Sequence, residues 1–64
     1  MEHYYVVTGN EFGVYISSKR NFIPDDKNEA REYFESVKGD DFGCMLVYVD
    51  PNGTENVLET YYED

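Results

Sequence analysis

Hydrophobic spacing along this chain changes period twice. His3 to Thr8 (HYYVVT) and Phe12 to Ser17 (FGVYIS) are short runs rich in strand-favouring residues, and Gly9-Asn10 between them fits a two-residue hairpin turn. From Pro24 the period lengthens. Ala30, Tyr33, Phe34 and Val37 fall at i, i+3, i+4 and i+7, one apolar stripe on a helix that runs to Gly39. After Gly39-Asp40-Asp41 the strand pattern returns. Phe42 to Val49 is apolar at nearly every position, and Val57 to Tyr62 follows the turn Asp50-Pro51-Asn52-Gly53. The order ββαββ predicts a small α+β domain, in which a four-stranded antiparallel sheet carries one helix packed on one face. Residues 1–64 read as a single acidic domain.

Local chemistry places the boundaries. The residue before Pro24 is biased to extended backbone, and Asp25 and Asp26 can accept the unpaired amide hydrogens of a first helical turn. Phe22-Ile23 should tuck an apolar plug beneath the helix start. Gly39 offers the left-handed stop. Glu35 stands four residues after Arg31 and three before Lys38, within reach of either. In the second hairpin, Asp at the first turn position, Pro at the second and Gly at the fourth fit a type I turn closed by a glycine bulge.

Counting outward from the turns gives the registers. Val7 should face Phe12, Tyr5 Val14 and His3 Ile16, while Leu46 should face Leu58, Cys44 Thr60 and Phe42 Tyr62. The helix is then expected over Tyr5, Val7, Phe12, Val14, Ile16, Phe42, Leu46, Leu58 and Tyr62. Tyr4, Val6, Tyr15, Met45, Val47, Val57 and Tyr61 would line an uncovered face, with Glu55, Glu59 and Glu63 standing among them. An apolar face without cover usually meets another molecule, a second copy or a foreign partner.

Charge sharpens that expectation. The chain holds 14 acidic and 5 basic residues, a net charge of −9. Residues 1–18 contribute −2, residues 19–38 contribute 0, and residues 39–64 contribute −7 with no lysine or arginine. Such a field repels nucleic acid and anionic membranes and speeds encounter with basic surfaces. A solubilising role alone would also produce it.

Catalytic chemistry finds no purchase. His3 is the single histidine and Cys44 the single cysteine, with no nucleophile, base or metal-ligand spacing around them. The Asp50 turn lacks the alternating ligands and distal glutamate of a calcium loop. No cofactor or metal is expected. A lone thiol and the lack of a basic, apolar leader point to a cytoplasmic, non-membrane protein.

Size, the open reading frame, high acidity with seven tyrosines and the ββαββ order together resemble small acidic phage-encoded anti-defence proteins, such as anti-CRISPR proteins and other DNA mimics. That resemblance implies non-catalytic inhibition of a defence nuclease complex in the host cytoplasm, by occupying a basic nucleic-acid site. The surface residues expected to make contact are Asp40, Asp41, Glu55, Glu59, Tyr61 and Glu63, with Tyr4 and Tyr15 beside them. An antitoxin or immunity-type partner, or a structural homodimer through the open sheet face, would use the same surface.

Overall fold

A computed structural model of the chain describes residues 1–9, 16–38 and 43–62, with the backbone alone at 16 and 17. Strands β1 (His3–Gly9), β2 (Ile16–Phe22), β3 (Gly43–Val49) and β4 (Glu55–Tyr62) form one antiparallel sheet in the order β2-β1-β3-β4. The helix α1 (Lys27–Val37) lies between β2 and β3 in the chain and packs on one face of the sheet. The expected class and element order are present. The two central strands, β1 and β3, are also the most apolar, so the middle of the sheet is buried from both sides.

The helix stripe is as expected. Ala30 and Phe34 are buried, and Tyr33 and Val37 pack at their margins. Ile23 is extended ahead of Pro24. The entry, however, is a single 3-10 turn at Pro24–Asp26, closed by the Asp26 amide on the Ile23 carbonyl at 3.0 Å, with no side-chain cap from Asp25 or Asp26. Backbone geometry has replaced the carboxylate cap. Of the apolar plug, Phe22 is buried beneath α1 and Ile23 points into solvent. The expected stop at Gly39 lies outside the described residues.

The second strand differs most from expectation. It runs Ile16–Phe22, pairing Val7 with Lys19, Tyr5 with Asn21 and Tyr4 with Phe22, so the tight Gly9-Asn10 hairpin and the Phe12 and Val14 pairings give way. An edge strand needs burial on few of its positions, so the polar stretch SKRN can serve once Phe22 anchors it under the helix.

The faces of β1 are also exchanged. Tyr4 pairs with Tyr48 and Val6 with Leu46, which puts Tyr4, Val6, Phe22, Cys44 and Leu46 on the helix side. Tyr5, Val7, Val47 and Val49 form a second buried cluster on the far side, with Met45 packed against it. Both faces of β1 are apolar, so its alternation carries no sign and pairing with β3 decides. The far face expected to be bare is closed at its centre, where Val47 is 0% exposed.

Candidate functional site

Every residue of β4 is exposed except half-buried Glu59, and β4 ends the sheet, so among the described residues only one of its edges is paired. The turn that delivers it is built by Asp50. Its amide donates to the Thr54 carbonyl at 3.0 Å, and its carbonyl accepts from the Gly53 amide at 2.9 Å. Asp50 Oδ1 accepts from the amides of Asn52 and Thr54, each at 2.9 Å. Gly53 takes φ +88°, as the expected type I turn with glycine bulge requires.

From that turn the register follows expectation through Val47 opposite Val57. A bulge then intervenes: Leu46 opposes Glu59 instead of Leu58, and Cys44 opposes Tyr61 instead of Thr60. One extra residue turns everything beyond it to the other side. Glu55 and Val57 stay on the far face, while Glu59 and Tyr61 turn toward the helix. The single file of Glu55, Glu59 and Glu63 is therefore broken, with Glu63 outside the described residues.

Each described acid of β4 is held by the protein itself. Glu59 Oε1 lies 2.8 Å from Arg31 Nη1 on α1. Arg31 thus reaches across to the sheet, leaving Glu35 to Lys38 at 3.1 Å. Lys38 Nζ also sits 5.5 Å from the Tyr61 ring centroid. On the far face, the Tyr5 hydroxyl donates to Glu55 Oε1 at 2.5 Å. Burial, then this hydrogen bond and the carboxylate charge, push the Tyr5 pKa up to about 12. The hydroxyl therefore remains a donor at neutral pH.

The other expected contact residues divide. Tyr4 lies on the helix side with β3 between it and β4, its ring centroid 5.0 Å from that of Tyr48. It does not adjoin the β4 acids. The Tyr48 hydroxyl donates to the Glu2 carboxylate, and that bond, followed by burial, raises its pKa to about 12. Asp40, Asp41 and Tyr15 lie outside the described residues.

Leu58 and Tyr62, expected beneath the helix, are instead exposed, because the bulge shifts the register beyond Val57. Val57, Leu58 and Tyr62 are 56%, 40% and 51% exposed, and with Tyr61 they make β4 an apolar edge set between acids. The Tyr62 ring covers Gly43, where a Cβ would meet its Cδ1 at 2.7 Å and the Tyr61 carbonyl oxygen at 3.1 Å. A glycine opposite an aromatic at a strand end is the signal available for Tyr62. The bulge that exposes Leu58 leaves none.

Among the described residues, no three His, Cys, Asp or Glu side chains gather as a metal site, and no helix is long and apolar enough to cross a membrane. Burial raises the pKa of the Cys44 thiol, with Lys38 opposing and Glu35 adding to the shift. The chain matches no protein-family model, no curated protein and no solved structure.

Proposed function

We propose that this protein is a non-catalytic inhibitor, acting in the host cytoplasm, that occupies a basic nucleic-acid-binding site of a bacterial defence nuclease complex in the manner of an anti-CRISPR or DNA-mimic protein. One observation carries the reading: residues 39–64 hold seven acids and no base, and they include an edge strand whose large apolar side chains are in solvent. Such a surface draws a cationic partner by its field and rewards contact by apolar burial.

The geometry narrows the contact set. Glu55, Glu59 and Tyr61 share β4, so the docking region centres on that strand, with Asp40, Asp41 and Glu63 adding charge. Tyr4 is too far inside the sheet to join it. Tyr5, Val47 and Val49 are buried within one copy, so the far face offers a homodimer less apolar surface, with Val57 still exposed on it.

The test is capture of partners from host lysate on the immobilised protein, followed by challenge with duplex DNA. Release of one specific nucleic-acid-binding complex by DNA is the expected result. Capture of a partner that DNA and heparin both fail to displace would overturn the reading in favour of an antitoxin or immunity-type interaction.

A further inference from the structure

We infer that the outer edge of β4 takes up an extended basic segment of a partner protein as a fifth strand. The inference rests on the proposed basic partner and adds how that partner is held. Its first support is the contrast between the two ends of the sheet. An edge strand exposes a row of unpaired N–H and C=O groups, and chains usually blunt such edges with charge. At β2 the exposed positions from Ser18 to Asn21 include Lys19 and Arg20. At β4 the eight residues ENVLETYY carry charge only as Glu55 and Glu59, with no lysine or arginine, and leave Val57, Leu58 and Tyr62 exposed.

Charge selects the occupant. A second copy laid antiparallel on β4 would bring together two bodies of net charge −9 and two sets of Glu55 and Glu59. Joining β4 of one copy to β2 of the next would match signs, but it is head-to-tail and builds a ring or an open filament instead of a simple pair. It would also draw Lys19 from the Tyr5 ring at 4.4 Å and Arg20 from the Phe22 and Tyr33 rings at 5.1 and 5.0 Å. A foreign strand alternating basic and apolar residues meets neither obstacle. Its backbone would complete the ladder. With bases on one face and apolar side chains on the other, it would set bases beside Glu59 with apolar cover over Val57, or bases beside Glu55 with apolar cover toward Tyr61. Those acids are oriented in advance by Tyr5 and Arg31, so little side-chain freedom is lost on docking.

The probes are three acetylated, amidated heptapeptides: alternating Lys-Val, the same peptide N-methylated at alternate residues, and alternating Glu-Val. The full chain is followed by amide chemical shifts and hydrogen exchange. Strand addition predicts binding of the Lys-Val peptide with new protection confined to β4 amides directed away from β3. N-methylation, which removes ladder hydrogen bonds and keeps the charge, should weaken binding by about tenfold or more. The Glu-Val peptide should not bind. Equal binding of the methylated peptide, or shifts spread over α1, would overturn strand addition while leaving a basic partner in place. Absence of Lys-Val binding, or β4 amides already protected by self-association, would overturn it as well.

Discussion

The two edge strands of this sheet solve one problem in opposite ways. On β2 the described side chains from Ser18 to Asn21 are polar, and both bases lean onto aromatic rings, Lys19 over Tyr5 and Arg20 over Phe22 and Tyr33. On β4 the acids Glu55 and Glu59 are likewise held, by Tyr5 and Arg31, but Val57, Leu58, Tyr61 and Tyr62 stay exposed beside them. Ionic side chains are anchored at both edges. What sets β4 apart is its apolar surface within an acidic field, and β2 lacks that pairing over the same span. One edge is polar, and the other keeps large apolar side chains in solvent.

The heaviest blow to this contrast is a loss of the core from which both edges hang. Phe34 is 1% exposed and packs with Val6 and Leu46, so Phe34→Ala should cost about 3–5 kcal/mol, enough to unfold a domain of this size in mild urea. Urea titration followed by circular dichroism checks it, and both edges should melt together. Next is the turn that sets β4. Gly53 sits at φ +88°, so Gly53→Ala should cost about 1–2 kcal/mol, read as a lower urea midpoint with the slope unchanged.

Smaller still is the ion pair that holds Glu59. Its side chains are 43% and 40% exposed, so a double-mutant cycle on Arg31→Ala and Glu59→Ala should return about 0.2–1 kcal/mol. A coupling near zero would mean that Arg31 does not orient Glu59 in advance. The gentlest probe is pH. Tyr5 has a folded pKa near 12 against an ordinary 10.0, so the folded state keeps a proton that the unfolded chain releases. The stability it contributes is complete below pH 10 and is lost as pH rises toward 12. Tyr5→Phe should flatten that alkaline decline, measured by unfolding midpoint against pH.

Legibility from the sequence varied by element, for physical reasons. The helix stripe Ala30, Tyr33, Phe34, Val37 and the Asp50-Pro51-Asn52-Gly53 turn are local patterns, and both appear where the residues put them. The faces of β1 were not legible, because Tyr4 and Val6 are as apolar as Tyr5 and Val7 and only a non-local pairing chooses between them. Strand propensity favoured FGVYIS for the second strand, while the observed register rests on buried Phe22. The bulge beside Leu58 follows a correct start to the hairpin, yet it carries Glu59 and Tyr61 to the helix side. A contact set drawn from alternation alone therefore mixed two faces. Its β4 members still share a strand.

The measurement that bears most directly on the acidic edge compares two variants of equal charge. Glu63→Lys with Asp64→Lys, and Glu29→Lys with Glu32→Lys, each change the net charge by +4, from −9 to −5. The first pair leaves the Arg31 contact of Glu59 alone, and the second lies on exposed positions of α1. Association rates with the DNA-displaceable partner are followed across ionic strength. Slowing of about tenfold at low salt by the C-terminal pair, with little effect from the helix pair, is the expected outcome. Equal slowing by both would mean that net charge alone guides the encounter, and the case for the β4 edge would fall.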